Sequence, residues 1–259
     1  MSQDKARDAP SGELQQPGGK LRLFVDAPLH QGAHVVLEAA QAHYLLHVMR
    51  TRAGDRVRLF NGRDGEWRAQ IVQAGRRNLI LVCDLQIEPQ TGVPDLWLIF
   101  SPIKKTPADY VAQKATELGV RLLQPVLTRR TVARRVNLER LQANAIEEAE
   151  QSGRLSIPEI RPLRDLDAVL QDWPRERRLL FCDEGGGAPI ADALLEARGQ
   201  GAAWGVLTGP EGGFAPEERA YIRNFPFVLP VTLGPRIVRA DTAALAALAV
   251  WQAVCGDWR

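Results

Sequence analysis

A glycine-rich turn is the feature of this sequence that most directly suggests chemistry. In the stretch VLTGPEGGFAPEE, from Val206 to Glu218, an apolar run enters GPEGG and a helix start follows. Gly212 and Gly213 permit positive φ and let the backbone approach a ligand closely. A plain strand-to-helix turn would use glycines in the same way. The turn matches neither G-x-G-x-x-G nor a phosphate loop that ends in Gly-Lys-Ser/Thr, so a nucleoside triphosphate is a poor candidate ligand.

A second glycine-proline turn follows one strand later, in LGPRIVRADTAAL from Leu233 to Leu245. Arg236 and Arg239 flank a β-branched pair, and Asp241 or Thr242 can cap the next helix. Ligands of open α/β sheets bind outside the carboxyl ends of the strands. Two turns at the ends of successive strands could therefore enclose one ligand.

Arginine clusters are the second chemical feature. Four arginines fall within Arg50–Arg58 and four within Arg129–Arg135. The planar guanidinium group suits phosphate, although two salt-bridged surface patches would have the same composition. The net charge is only +2, so the distribution of charge, and not its total, would favour nucleic acid.

Metal and disulfide chemistry is not indicated. Cys83, Cys182 and Cys255 are widely spaced in apolar surroundings, as reduced core thiols are. All four histidines fall between residues 30 and 47, but their spacing is not a ligand set, and His43 with His47 would share one helix face. We expect no metal site.

The segments that position the arginines in the first part of the chain are short and β-like. They are LRLFV, HVVL, RVRLF, EWRAQIV and LILVCDLQI, between Leu21 and Ile87, with turn signals such as Asn61-Gly62 between them. One short helix is predicted from Gln41 to Met49. The pattern predicts a small, mainly antiparallel β-barrel, an architecture common among RNA-binding modules.

After Asp95, strands and helices alternate as in a parallel α/β sheet. The predicted strands are LWLIF, VRLLQPVL, RLLFCD, AWGVLTG and FVLPVTLG. The predicted helices run from Thr106-Pro107 to Gly119, from Asn137 to Ser152, from Pro189 to Ala197, from Pro216 to Asn224 and from Asp241 onward. The last helix, TAALAALAVWQAV, is small or apolar on every face, so a second subunit is the simplest candidate to cover it.

Length and composition allow two globular cores. The chain has 259 residues, of which 45% are hydrophobic and 25% charged. No apolar run approaches the roughly 20 residues that cross a bilayer, and the polar N-terminus lacks the apolar segment of a signal peptide. We expect a disordered leader at residues 1–20, a β domain at 21–90, an α/β domain at 95–259 and a cytoplasmic location.

Four motifs together resemble a known family. QKATELGV, EQSGR with IPEIRP, LTGPEGGF and LGPRIVRADTAAL stand in the order found in the SPOUT-class methyltransferases that methylate N3 of a uridine in bacterial 16S ribosomal RNA. The resemblance spans about Arg22 to Trp258, and the last two motifs are highly specific. It implies a PUA-like β-barrel for RNA contact and a SPOUT α/β domain whose deep trefoil knot, rare among folds, forms the S-adenosylmethionine site.

The resemblance also implies a homodimer that acts on 16S rRNA or the small ribosomal subunit, at the uridine conventionally numbered 1498. The sequence departs from the family pattern at three places. Asp241 stands where the family generally has glutamate, and Ala243 where threonine is frequent. Lys104-Lys105-Thr106-Pro107 replaces the usual Lys/Arg-Gly-acid-Lys loop.

On this resemblance, the two glycine-proline turns supply the cofactor site. S-adenosylmethionine has no phosphate, so it needs backbone donors and acceptors and an apolar surface for adenine. Glu211 either faces the sulfonium group or anchors the amides of its own loop, and the need of loop amides for acceptors favours the anchor. The predicted cofactor-binding residues are Leu207, Thr208, Gly209, Pro210, Glu211, Gly213, Leu229, Leu233, Gly234, Ile237, Val238 and Thr242.

Methylation of uracil N3 requires loss of the N3 proton, and a cation near O2 or O4 favours the resulting anion. Alignment of N3 with the methyl group could supply much of the rate, without a strong base. The candidate cations are Arg236, Arg239 and Arg154. Glu117 or Asp241 could act as a weak base or orienting acceptor, but Glu117 could equally form a surface ion pair with Lys114.

The RNA itself is expected on the arginine clusters. The predicted RNA-binding residues are Arg50, Arg52, Arg129, Arg130 and Arg134. The alternative function is a non-catalytic RNA-binding or ribosome-assembly protein with a knotted platform domain. A small-molecule α/β enzyme would leave the barrel and the arginines without a role. Methyl transfer from labelled cofactor to ribosomal RNA separates the alternatives.

Overall fold

The structure is a computed structural model that describes residues 21–75, 79–103, 108–199, 201 and 203–258. Contacts between Cα atoms divide the chain into one unit that ends at Gln90 and a second that begins at Thr91. The predicted leader lies outside the described residues. So do Lys104-Lys105-Thr106-Pro107 and the predicted helix start within them.

The first unit is a five-stranded sheet in the order β1-β3-β4-β5-β2. β1 and β3 pair in parallel, and the other neighbours are antiparallel. Each predicted β segment contains one strand. The strands are β1 (Arg22–Phe24), β2 (His34–Val36), β3 (Arg56–Phe60), β4 (Glu66–Ala74) and β5 (Leu79–Glu88).

A short helical segment packs on this sheet where the sequence predicts a helix. α1 (Ala39–His43) continues directly into a π-helical turn, Tyr44–Val48. Leu45 is fully buried and anchors the segment in the core of the unit. The rings of His43 and His47 lie 4.6 Å apart between centroids, so the two histidines share one face as predicted.

A buried carboxylate binds one member of the first arginine cluster. Glu66 forms ion pairs with Arg22 and with Arg58, whose Nη1 lies 3.3 Å from Glu66 Oε2. The Arg22 guanidinium also lies 4.6 Å above the centre of the Phe60 ring. Because a buried charge needs a partner, Arg58 helps to neutralise Glu66 inside this unit. It therefore differs from a surface arginine that could bind RNA.

The second unit is a parallel sheet in the order β11-β13-β10-β12-β6-β7-β8, with β9 also paired to β7. Its strands are β6 (Leu96–Phe100), β7 (Leu122–Leu127), β8 (Glu159–Ile160), β9 (Arg164–Asp165), β10 (Arg178–Cys182), β11 (Ala188–Pro189), β12 (Trp204–Thr208) and β13 (Val228–Thr232). Its helices are α2 (Ala108–Glu117), α3 (Leu138–Ser152), α4 (Leu166–Gln171), α5 (Ile190–Ala197), α6 (Pro216–Arg223) and α7 (Ala240–Val254).

The predicted α/β alternation is confirmed, with four additions. All five predicted strands are present, and so are the predicted helices within the described residues. β8, β9, β11 and α4 were not predicted, because segments of two to six residues are too short to show a hydrophobic period.

Helix boundaries in this unit follow the expected chemistry. Asn137 caps α3, since its side chain accepts a hydrogen bond from Arg140 N at 3.0 Å. Gly153 follows the helix with φ of +81°, and Gly119 after α2 has φ of +76°. Asp109 in the first turn of α2 pairs with Arg140 of α3, with Oδ2 and Nη2 2.6 Å apart.

α7 packs on the sheet with only part of its apolar surface buried. Ala244, Ala247, Leu248 and Trp251 are buried in the core that α7 shares with α2, α5 and β12. Side chains on its other faces, Val250 among them, are half-buried within this chain. The central strands β6, β10 and β12 contribute to apolar clusters on both faces of the sheet.

Candidate active site

A cavity of about 740 Å³ lies at the carboxyl end of the central strands of the α/β unit. Segments that follow β10, β12 and β13 form most of its wall, and residues after β6 and β7 complete it. These strands lie side by side in the sheet, so their carboxyl ends meet at one edge. The cavity thus lies where open α/β sheets bind ligands.

Both glycine-proline turns contribute to the cavity wall. Nine of the twelve predicted cofactor-binding residues line it: Thr208, Gly209, Pro210, Glu211, Gly213, Leu233, Gly234, Ile237 and Val238. Leu207 is fully buried beneath the turn, and Leu229 packs into the core from β13. Thr242 lies exposed in the first turn of α7, where its N–H donates to Asp241 Oδ1 at 2.8 Å.

The first turn needs its glycines because other groups approach it closely. Gly213 has φ of +64°, and a Cβ there would lie 2.2 Å from Glu184 Oε1. A Cβ on Gly209 would lie 2.6 Å from the ring of Phe214, which is itself fully buried. Gly213 N also donates to Pro210 O at 2.9 Å and closes the turn. A side chain at either position would displace the wall of the cavity.

A carboxylate that the sequence analysis did not select anchors this turn. Glu184 Oε1 accepts a hydrogen bond from Phe214 N at 3.1 Å and from Arg219 Nη2 at 2.7 Å. Glu184 thus anchors the turn, and the anchoring role predicted for Glu211, which is exposed and lines the same cavity, stays a prediction. The sequence feature that could have identified Glu184 is the pair of carboxylates Asp183-Glu184, which directly follows a buried strand at the ligand-binding edge of the sheet.

Asp183 ties the end of β10 to α6. Its side chain is fully buried and pairs with Arg219 Nε at 2.9 Å and with Arg223 Nη2 at 2.6 Å. Asp183 Oδ1 also accepts from Gly185 N at 2.7 Å. Two cations and a backbone donor offset the cost of burying this charge, so the position of α6 beside the cavity is well determined.

Arg130 lies in the cavity wall, although it was predicted to contact RNA phosphate. Its Nη1 donates to Gly212 O at 2.9 Å. The turn that carries it is held by buried hydroxyl groups, since Thr131 Oγ1 lies 2.6 Å from Ser101 Oγ and accepts from Thr128 N at 2.8 Å. Arg130 therefore clamps the glycine turn from the side opposite to Glu184.

The second turn brings two of the three candidate cations to the cavity. Arg236, Arg239 and Asp241 all line it, in the segment between β13 and α7. Ile237 stands between the two arginines with 95% of its surface exposed. An apolar side chain so exposed at a cavity wall offers a surface for a flat ligand group.

The other two catalytic candidates lie near the end of α2, outside the cavity lining that the described residues form. Arg154 donates to Thr116 O at 3.0 Å and to Ser156 Oγ at 3.3 Å. Burial lowers the pKa of Arg154 to about 10, although the charge of Asp257 opposes this shift. Glu117 forms the ion pair that its spacing allows, with Oε2 2.5 Å from Lys114 Nζ.

The remaining predicted RNA-binding arginines lie at exposed turns. Arg50 adopts φ of +55°, which is uncommon for a residue other than glycine, and directly follows the turn that ends the π-helix. Arg52 lies in a turn closed by Asp55, whose Oδ2 accepts from Arg52 N at 2.7 Å. In the second unit, Arg129 Nη1 lies 3.6 Å from Glu217 Oε2, and Arg134 is exposed.

The cysteines are free thiols, as predicted. Burial raises the pKa of Cys83 to about 11 and that of Cys182, which lines the cavity, to about 12. Both thiols therefore stay protonated at neutral pH and are poor nucleophiles. Among the described residues, no cluster of three His, Cys, Asp or Glu side chains could hold a metal ion, and no helix is long and apolar enough to span a membrane.

Comparison with known families matches both units. Residues 91–252 match the model of an RNA methyltransferase domain, and residues 37–82 match the model of an RNA methyltransferase PUA domain. The chain thus combines a PUA domain with a SPOUT-type α/β methyltransferase fold.

Individual relatives agree with the family models. The ribosomal RNA small subunit methyltransferase E of Rickettsia conorii is 30% identical over 88% of this chain and 93% of the relative. That of Synechocystis is 34% identical over 84% of this chain and 72% of the relative. The crystal structure of the Neisseria gonorrhoeae enzyme of that name, bound to S-adenosyl methionine, aligns with a TM-score of 0.83 at 28% identity and covers 92% of this chain and 99% of its own. This chain belongs to the ribosomal RNA small subunit methyltransferase E family of RNA methyltransferases.

Proposed function

We propose that this chain transfers a methyl group from S-adenosylmethionine to N3 of a uridine in the 16S RNA of the small ribosomal subunit. The observation that carries the proposal is the cavity of about 740 Å³ between two glycine-proline turns at the carboxyl end of a parallel sheet. The relatives named as small subunit rRNA methyltransferases support the RNA substrate, and the Neisseria gonorrhoeae structure supports the cofactor.

The lining of the cavity fits a nucleoside that has no phosphate. The close approaches at Gly209 and Gly213 leave a wall made of backbone, which offers donors and acceptors without side-chain bulk. Ile237 supplies an exposed apolar surface for the adenine ring. Glu184 and Glu211 line the same cavity, and their carboxylates favour the positive charges of a sulfonium and an ammonium group.

The chemistry divides between the cofactor and the protein. When bound, the cofactor supplies an electrophilic methyl group. Arg236 and Arg239 line the cavity as cations that can stabilise negative charge on the uracil oxygens as N3 loses its proton. Asp241 lines it as well and can orient the acceptor. Arg154 and Glu117 lie at the end of α2, so any part they take in catalysis would require an assembled form of the protein.

A homodimer is part of the proposal. α7 is apolar or small on nearly every face, yet several of its side chains are only half-buried within one chain. Burial of that surface in a second copy would stabilise a dimer through the hydrophobic effect. Light scattering should then give twice the chain mass of 28.6 kDa. A monomer at micromolar concentration would contradict this element of the proposal.

We also propose that the RNA-binding β domain spans residues 21–90 and the methyltransferase domain residues 95–259. The methyltransferase domain would contain the trefoil knot that forms the cofactor site. A ribosomal substrate also implies a cytoplasmic location.

Two measurements test the function. Calorimetry with S-adenosylmethionine and S-adenosylhomocysteine should show binding, and labelled methyl groups should appear in 16S rRNA or small subunits that lack the modification. Nucleoside analysis of the product should identify N3-methyluridine. Folded protein that binds neither ligand at millimolar concentration would refute the cofactor, and a different methylated nucleoside would refute the target atom.

A further inference from the structure

Three arginines line the cavity, and one of them is held differently from the others. Arg236 and Arg239 belong to the second glycine-proline turn. Arg130 lies three residues after the end of β7 at Leu127, and its side chain reaches the first glycine turn. The geometry of the turn that carries Arg130 distinguishes it from a solvated surface arginine.

Buried hydroxyl groups fix the turn that carries Arg130. Ser101, Thr128 and Thr131 are all buried, and Thr131 Oγ1 lies within 2.9 Å of polar atoms of both other residues. The neighbouring Arg129 N donates to Glu218 Oε1 at 2.9 Å, which ties the turn to the start of α6. Fully satisfied buried networks of this kind rigidify their surroundings, so the Cα of Arg130 is held in place.

The guanidinium group of Arg130 is also positioned. Its bond to Gly212 O, at 2.9 Å, uses one of the five N–H donors of an arginine. The group thus keeps further donors for a ligand in the cavity that it lines. A guanidinium presents parallel N–H donors in a plane, a geometry that matches adjacent acceptors on a flat ring.

We propose that Arg130 is a catalytic residue that contacts the target uracil and stabilises its N3 anion. This inference rests on the proposed function. In the reaction, the N3 proton leaves to water, N3 forms a bond to the methyl carbon, and the sulfur–methyl bond breaks with its electron pair retained by sulfur. Donation from Arg130 to O2 or O4 lowers the pKa of the bound uridine and raises the anionic fraction at neutral pH.

Other charged groups of the cavity act on the same anion. Glu184 and Asp183 after β10, Glu211 in the first turn and Asp241 before α7 oppose it. Arg236 and Arg239 favour it. Asp183 is already paired with two arginines of α6, which reduces its effect. These groups are the same in the wild type and in the Arg130 variants. A difference in the pH dependence of the methylation rate constant therefore reports the contribution of Arg130.

The test compares Arg130→Ala and Arg130→Lys with the wild-type enzyme in single-turnover methylation at saturating RNA, from pH 6 to pH 10. Removing one preorganised donor should lower the rate constant of Arg130→Ala by on the order of 100-fold at neutral pH. The deficit should shrink as pH rises, because hydroxide then deprotonates N3 without help. Arg130→Lys keeps the charge but not the planar fork, so its rate constant should be intermediate.

Affinity for S-adenosylhomocysteine, measured by calorimetry, should fall far less than the rate constant in both variants, because the Glu184 bond to Phe214 N still anchors the glycine turn. Arg198→Ala removes an exposed arginine after α5, outside the cavity lining, and should leave rate and pH profile unchanged. An Arg130→Ala enzyme that loses only RNA affinity would show a phosphate contact and overturn the inference. A loss of S-adenosylhomocysteine affinity as large as the loss in rate constant would overturn it too, because Arg130 would then act only through the cofactor turn. Wild-type protein with no methyl transfer would instead refute the proposed function.

Discussion

Opposite charges hold the two flanks of the glycine turn after β12. Glu184 accepts a hydrogen bond from Phe214 N, and Arg130 donates to Gly212 O. β10 and β7, which precede these two residues, lie on opposite sides of β12 in the sheet. The turn is therefore fixed without any bulky side chain of its own, which leaves its backbone available to a ligand.

Gly213→Val should abolish cofactor binding and leave the fold largely intact. The left-handed backbone at φ of +64° disfavours a β-branched residue, and the new Cβ would lie 2.2 Å from Glu184 Oε1. Calorimetry with S-adenosylhomocysteine measures the loss, and circular dichroism monitors the fold. Gly199→Val is the matched control, since Gly199 has φ of +81° but no neighbour within 4 Å of its Cβ. If both variants bind equally, the close approach of Glu184 is not what the turn requires.

Glu184→Ala should weaken S-adenosylhomocysteine binding more than Glu184→Gln does. Glutamine keeps an oxygen that can accept from Phe214 N, whereas alanine leaves that amide and Arg219 without this acceptor. Dissociation constants from calorimetry give the order of the two effects. Glu176→Gln, at an exposed position outside the cavity lining, should bind as the wild type does. Equal affinity for all three variants would show that the turn holds its shape without Glu184.

The start of α6 joins two neighbouring segments through one buried carboxylate. Glu218 is 3% exposed, and its two oxygens accept from Arg129 N at 2.9 Å and from Ala215 N at 3.3 Å. One side chain thus satisfies an unpaired N–H of the helix start and a donor of the Arg130 turn. The carboxylate also lies in the first turn of α6, where the helix dipole favours negative charge.

Glu218→Ala should lower the free energy of unfolding by about 1–3 kcal/mol, because two backbone donors lose their acceptor in a buried place. Glu217→Ala removes the neighbouring carboxylate, whose side chain is 71% exposed and pairs only at 3.6 Å with Arg129. Its effect should be close to zero, as for most exposed pairs. Urea denaturation of the two variants measures the difference. Equal midpoints would contradict the bridging role of Glu218.

For the molecule as a whole, the arginines of both units are predicted to bind RNA backbone. Arg52→Ala combined with Arg134→Ala should weaken RNA binding and flatten its salt dependence, because each lost phosphate contact changes the log-log slope by about 0.7 to 0.9. Filter binding across a salt series measures the slope. Affinity for S-adenosylhomocysteine should stay unchanged.

Arg175→Ala combined with Arg198→Ala provides the charge-matched control for this experiment. Both arginines are exposed and lie outside the predicted RNA-binding set. The control should keep the wild-type slope. If the Arg52 and Arg134 variant also keeps it, these arginines are solvated surface, and the RNA contacts lie elsewhere on the chain.

Much of the fold was predictable because it depends on local patterns. Alternation of buried and exposed residues located β1 to β5, and continuous apolar runs located β6, β7, β10, β12 and β13. Asn137 bounded α3 through its capping side chain, and Gly153 through the left-handed backbone that glycine permits. The two glycine-proline turns could also be predicted, since glycine and proline mark turns through their local backbone preferences. Nine of the twelve predicted cofactor-binding residues line the cavity.

The tertiary structure alone decided which side chains complete the cavity. Glu184 and Phe214 are 30 positions apart in the chain, and Arg130 and Gly212 are 82 apart. The strand order, in which β10 and β7 lie on opposite sides of β12, brings these residues together. Arg154 and Glu117 instead lie near the end of α2, outside the cavity lining. In the first unit, the pairing of β3 with β4 brings Arg58 to the buried Glu66. Hydrogen bonds between distant segments impose no period or spacing on either one, so the sequence could supply the residue types but not their partners.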